Sequence, residues 1–248
     1  MICINDKDFI PTEFPNGELN FDKKEIDKRL VCYTNSIYFK YNKETLNKDI
    51  LSLMFIGSYL NDKKIDCELI FDFCPYGQMD REMDDHIFSF KYFANMINML
   101  NFKRVSINDP HSPVMTLLIN NSESYESAKR IQSIDKYDLI CYPDSGAAKK
   151  YSELYSVYNN YITGYKKRNL KTGEIIRYEI LAEPKDIKDK TILIIDDICM
   201  GGRTFKECAK VLKSMGAKQV DLSISHWMPQ SEEFQKNYKE FGIDNIIK

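Results

Sequence analysis

The chain has 248 residues, enough to bury one large core or two ordinary ones. Its 35 Lys and Arg against 37 Asp and Glu leave a net charge of −2, no electrostatic footprint for nucleic acid, so anionic ligands have to be met by local clusters. No apolar stretch approaches the ~18 residues a membrane span needs and no signal peptide opens the chain; the seven cysteines, with no Cys-x-x-Cys pair, fit a reducing cytoplasm.

Taken in chain order, Phe14-Pro15-Asn16-Gly17-Glu18 is a turn, and Asn-Gly is a common hairpin pair. Glu44 to Leu60 carries Leu46, Ile50, Leu53, Met54 and Tyr59, enough for a helix on a first sheet. Glu68 to Phe73 reads as a buried strand that runs into the loop Pro75 to Arg81. A helix follows from Phe88 to Leu100, with Phe88, Tyr92, Phe93, Met96, Ile97 and Leu100 on its apolar side. Val105 to Asp109 leads to the turn Pro110-His111-Ser112. The polar stretch Asn120 to Ser124 interrupts this pattern, and a boundary is expected beside it, giving domains of residues 1–122 and 123–248.

In the second half, Asp138 to Tyr142 is a strand ending in the turn Pro143-Asp144-Ser145-Gly146-Ala147, and Tyr165-Lys166-Lys167-Arg168 is a basic run. The unbroken aliphatic run Ile192-Leu193-Ile194-Ile195 has the character of a parallel strand buried on both faces. It launches Asp196-Asp197-Ile198-Cys199-Met200-Gly201-Gly202-Arg203-Thr204-Phe205, two acids, a glycine pair and a helix start. At the carboxyl end of a parallel strand, adjacent acids can face a sugar diol, and the N–H groups opening the next helix can face a phosphate. Phe205, Ala209, Leu212 and Met215 keep helical spacing, Gly216 stops the helix, and Val220 to Ile224 closes a βαβ unit. Ser231 to Lys248 reads as a helix and a short strand, with Phe234, Tyr238 and Phe241 on one side.

Asp196 to Thr204 resembles the ribose-phosphate loop of the type I phosphoribosyltransferase fold. The upstream elements resemble, in order, those of the ribose-phosphate pyrophosphokinases, also called phosphoribosyl pyrophosphate synthetases. Phe14 to Glu18 is similar to their Phe-x-Asp-Gly-Glu element, Pro75 to Arg81 to their Pro-Tyr…Arg-Gln-Asp-Arg loop, and Asp109 to His111 to their Asp-x-His turn. Pro143 to Ala147 looks like Pro-Asp-Ala-Gly-Gly, and Lys166 to Arg168 like the catalytic Lys-x-Arg loop.

The resemblance implies an α/β fold of two phosphoribosyltransferase-like domains, each a mostly parallel sheet flanked by helices. The first, shortened by roughly one strand and one helix, would take ATP and the second the acceptor. It implies a Mg²⁺-dependent transfer of pyrophosphate from ATP to the C1 hydroxyl of a ribose phosphate. In that reading Phe14, Asn16, Glu18, Gln78, Asp80, Arg81 and His111 bind ATP, Lys166 and Arg168 stabilise the transferred group, and Asp144 and His111 face the metal. Asp196, Asp197, Met200, Gly201, Gly202, Arg203 and Thr204 hold the acceptor. The Phe14 element, which reaches a neighbouring subunit in the family, implies at least a dimer.

Three positions depart from the family's acceptor loop. Met200 replaces an acid, Gly201 a threonine and Arg203 a glycine, so a hydroxyl and a carboxylate are lost and a guanidinium is gained. An arginine suits a larger or more highly charged 5′ group. Short synthetase-like relatives occur in phages, some rebuilding NAD by pyrophosphorylating ADP-ribose, so ADP-ribose stands beside ribose 5-phosphate as the expected acceptor. A phosphoribosyltransferase that consumes the activated sugar and a non-catalytic regulatory homologue are the alternatives.

Overall fold

The computed structural model describes residues 1–126, 134–155, 160–168 and 175–247, and the chain divides into two compact units, Met1–Glu126 and Ser127–Lys248. In the first, β1 (Ile2–Ile4) pairs antiparallel with β2 (Lys7–Phe9) and with β5 (Asn35–Phe39). From β5 the sheet continues in parallel through β6 (Cys67–Phe71), β7 (Arg104–Asn108) and β8 (Ser122–Tyr125). The order is β2-β1-β5-β6-β7-β8. The polar residues Ser122 and Glu123, which signal a break in the sequence, therefore form an edge strand against Val105 and Ser106, and the unit runs to Glu126.

The helices Leu46–Asp62 and Ser89–Asn98 form where apolar spacing predicts them. They bury Leu53, Ile56, Leu60, Phe90, Phe93 and Ile97 among Ile37, Phe39, Leu69, Phe71 and Ile107 of the sheet. A separate two-stranded ribbon, β3 (Thr12–Glu13) and β4 (Leu19–Asn20), carries the Phe14 to Glu18 turn at its tip.

The second unit has the order β11-β10-β9-β12-β13-β14, with β9 (Leu139–Tyr142), β10 (Tyr161–Arg168), β11 (Ile175–Ile180), β12 (Thr191–Cys199), β13 (Gln219–Trp227) and β14 (Asn245–Ile247). All neighbours are parallel except β10 and β11, which form an antiparallel ribbon at one edge. Ile192, Leu193, Ile194 and Ile195 are all completely buried, as their unbroken run predicts. Ile192 and Ile194 join Cys141, Phe205, Cys208 and Leu212 on one face; Leu193 and Ile195 join Ile140, Tyr142 and Tyr151 on the other.

The α-helices among the second unit's described residues are Ser145–Leu154, Pro184–Ile187, Arg203–Ser214 and Glu232–Asn237. Gly216, at φ +92°, ends the third of these as expected. No helix among the described residues is long and apolar enough to cross a membrane, and all seven cysteines are free thiols, six of them buried.

Candidate functional site

In the first unit the two loops expected to hold nucleotide phosphates meet at Asp80. This carboxylate is 8 % exposed, and its Oδ1 accepts from Arg81 Nε at 2.9 Å. Burial pushes its pKa up, but the Ser112 hydroxyl, Arg81 and the nearby His111 outweigh burial and hold the group below the ordinary carboxylate range. Asp80 thus ties the Pro75–Arg81 loop to the Pro110–Ser112 turn, while Gln78, Arg81 and His111 are exposed on these loops. Gly77 packs closely on the tip of Met115: a Cβ there would lie 2.7 Å from that side chain, which would have to move aside.

The ribbon tip is a tight turn: Phe14 N–H donates to Glu18 O at 2.8 Å, Gly17 stands at φ +87°, and the Asn16 amide donates to Glu18 Oε2 at 2.9 Å. Phe14, Asn16 and Glu18 are exposed on it. The hairpin reading of this segment is therefore the local structure, and it presents these side chains outward.

In the second unit the basic and acidic elements converge at the carboxyl ends of β9 and β12. Asp144 caps the helix Ser145–Leu154, its Oδ1 accepting from Ala147 N–H at 3.0 Å, while its Oδ2 accepts from Lys166 Nζ of β10. Burial works against the ionised form, yet Lys166 and the Ala147 and Gly146 amides outweigh it and hold the Asp144 carboxyl below its ordinary range. The side chain of Arg168 lies outside the described residues; its backbone closes β10 opposite Ile175.

One expectation is corrected. The two acids do not sit together in a loop after the strand; β12 runs through them to Cys199, because the parallel ladder with β13 continues to Trp227. Asp196 and Asp197 lie next to each other at the end of β12, close enough for their carboxyl groups to act on one another, although their partners differ. Asp197, 4 % exposed, turns to Lys150 of the helix Ser145–Leu154, with Nζ to Oδ2 at 3.6 Å. Asp196 stays half-buried and accepts from the Asp197 N–H at 3.0 Å. Burial first, then the charges of Asp197 and Asp144, push the Asp196 pKa well above the usual carboxylate value.

A carboxyl raised in this way stabilises the fold while protonated, and that contribution is lost as pH rises through its folded pKa. Asp196→Asn should therefore leave the Tm unchanged near pH 4 and raise it progressively above that, by about 2–6 °C at neutral pH. Thermal unfolding at several pH values checks this; a gain independent of pH would contradict it.

Beyond β12, Met200 and Gly201 are exposed and Gly202 takes φ +73° as the N-cap of the helix Arg203–Ser214. A Cβ on Gly202 would lie 2.3 Å from the Phe234 ring, whereas one on Gly201 would meet nothing within 4 Å. The helix start has no side-chain cap and no acidic residue in its first turn, and Arg203 stands exposed beside Thr204. A cation at this end opposes the helix dipole, so the local field is strongly positive and suits an anion.

Lys150 and the tie at Asp80 were not legible in the sequence, since each depends on a contact between segments far apart in the chain. The one sequence signal for Lys150 is its place on the helix that Asp144 opens. His86 pairs with Met83 through the backbone in a turn and His226 is buried in β13, both outside the positions implied by the family's motifs. Among the described residues no group of three or more His, Cys, Asp or Glu side chains gathers as a metal cage.

Residues 147–248 match the family model described as a phosphoribosyl transferase domain. The ribose-phosphate pyrophosphokinase of Saccharolobus solfataricus is 25 % identical over 213 residues, covering 81 % of this chain and 71 % of that protein. That of Mycoplasmopsis pulmonis is 25 % identical over 249 residues, covering 95 % and 73 %. The fold matches the crystal structure of phosphoribosylpyrophosphate synthetase from Mycobacterium smegmatis with a TM-score of 0.68 at 16 % identity, over 90 % of this chain and 74 % of that one.

Proposed function

We propose that this chain, similar along most of its length to ribose-phosphate pyrophosphokinases, transfers the β,γ-pyrophosphoryl group of ATP to the C1 hydroxyl of a ribose 5-phosphate moiety, releasing AMP. The observation that carries this reading is the meeting, in one unit, of Lys166 and Asp144 with the acid-bearing strand β12 and the uncapped, positive helix start at Gly202. In such a displacement the acceptor oxygen forms a bond to the β-phosphorus as the bond from that phosphorus to the oxygen of the α-phosphate breaks. The protein mainly positions the reactants and balances charge. Lys166 supports the transferred group, with Arg168 beside it in the chain. The acids of β12 bind the acceptor's ribose hydroxyls, and the helix start faces its 5′ phosphate. In the other unit, Gln78, Arg81 and His111 hold ATP phosphates, and the exposed tip at Phe14, Asn16 and Glu18 reaches the nucleotide site of a second subunit.

The side chains fit a hydrated Mg²⁺ at the edge of the site. Burial, and then the negative charge of Asp197 and Asp144, raises the Asp196 pKa, and this cluster of carboxylates suits a cation that keeps waters and substrate phosphates among its ligands. Asp144 would be its protein contact in this unit. Bound there, Mg²⁺ supplies neutralisation of phosphate charge.

Arg203 favours an acceptor with a 5′ diphosphate, such as ADP-ribose in an NAD-rebuilding pathway, over ribose 5-phosphate. The guanidinium is exposed at the phosphate end of the helix with no acidic partner in its turn. Incubation with ATP, Mg²⁺ and either acceptor, with AMP and the pyrophosphorylated product measured, tests both readings. AMP formed equally without acceptor would mean hydrolysis and overturn the transfer. Arg203→Ala should reduce ADP-ribose use roughly tenfold with ATP binding little changed; equal losses for both would remove Arg203 from the acceptor site.

A further inference from the structure

The ribbon of β10 and β11 carries Lys166; the parallel ladder holds β10 on β9 as far as Thr163, opposite Tyr142, and beyond it side chains tie the ribbon to the Asp144 turn. In the antiparallel register Lys166 stands directly opposite Tyr178, so the two side chains leave the ribbon on the same face. They reach consecutive residues of one turn. Lys166 donates to Asp144 Oδ2, and the Tyr178 hydroxyl donates to the carbonyl of Pro143 at 2.9 Å. Tyr178 is 9 % exposed, among Cys141, Ile162 and Cys208, and no other carbonyl takes its proton among the described residues.

Gly164 makes this contact possible. It lies two residues before Lys166 on the same face of β10, and a Cβ there would fall 2.0 Å from the Tyr178 hydroxyl oxygen and 2.8 Å from the Pro143 carbonyl oxygen. Bare backbone at this one position opens the lane through which the phenol crosses to the turn. Without the hydroxyl, Lys166 would be the one remaining side-chain tie, among the described residues, between this ribbon face and the Pro143–Asp144 turn. A partly buried ammonium on a flexible stem fixes a register less firmly than a phenol locked in the core.

We propose that Tyr178 is a positioning residue for the pyrophosphoryl transfer proposed above, a buried pin that keeps the Lys166 ammonium registered on Asp144. The proposal rests on that functional reading, but the pin itself is a structural statement that can be measured without turnover. In the full-length protein Tyr178→Phe removes one oxygen and keeps the ring packing.

Its expected results are a kcat lowered by roughly tenfold or more, KM values for ATP and acceptor within about twofold, and hydrogen exchange faster at residues 161–166 and 177–180. Placed on Lys166→Ala, the same change should have no further effect on kcat, because the pin acts through that lysine. Gly164→Ala should reproduce the faster exchange by expelling the phenol. Unchanged exchange in Tyr178→Phe would overturn the pin, as would an equal kcat loss with and without Lys166. Faster exchange in a protein that transfers no pyrophosphate would keep the pin and sink the functional reading instead.

Discussion

Lys166→Ala should lower turnover by about two to three orders of magnitude while ATP affinity changes by no more than about threefold. The ammonium is placed by Asp144, and its charge is expected to matter most where charge builds up on the transferred group. Steady-state kinetics beside equilibrium nucleotide binding separates the two quantities, and an unchanged kcat would remove Lys166 from the catalytic set. The same variant has a signature in stability. Asp144 is held below its ordinary pKa, so its ionisation stabilises the unit above the unfolded value near pH 4, and that contribution fades as pH falls through the folded pKa. With Lys166 gone the folded pKa rises, and acid unfolding should begin at a higher pH than in the parent protein.

Gly202→Val is expected to destabilise the second unit by about 3 kcal/mol, the largest stability effect of any single change in the acceptor loop. Two costs combine, a β-branched residue forced to positive φ and a Cβ driven into the Phe234 ring, each worth about 1–3 kcal/mol. Phe234 cannot retreat easily, because it is buried and stacked between Trp227 and Phe241. Gly201→Ala, one residue earlier, should change stability by less than about 0.5 kcal/mol, since its Cβ would enter open space. Urea unfolding of both variants is the check, and equal losses would show that the turn needs both glycines for conformation alone.

The glycine pair illustrates how far the residues themselves could be read. Two adjacent glycines after a buried strand announce a tight turn into a helix. Which of them is obligatory depends on Phe234, more than thirty positions away in the chain. The same holds for the acids. Asp196 and Asp197 were visible at once as adjacent acids, but their place inside β12 follows from the length of the ladder between β12 and β13, which the aliphatic run Ile192 to Ile195 does not define. Local pattern did determine the central strands at Cys67–Phe71, Arg104–Asn108, Leu139–Tyr142 and Thr191–Cys199, whereas β1 and β5 carry no such signal and Tyr92 and Met96, spaced for an apolar face, are exposed. Periodicity and turn chemistry operate within a few residues, and burial on both faces demands an unbroken apolar run.

Tertiary structure alone decided the pairings that make a site of these motifs. Lys150 meets Asp197, Ser112 joins Arg81 on Asp80, and Tyr178 reaches Pro143 past Gly164. Each brings together segments far apart in the chain, set by strand order and register. A lysine, a serine or a tyrosine has the same local preferences whether it faces such a partner or water, so no short-range pattern records the choice.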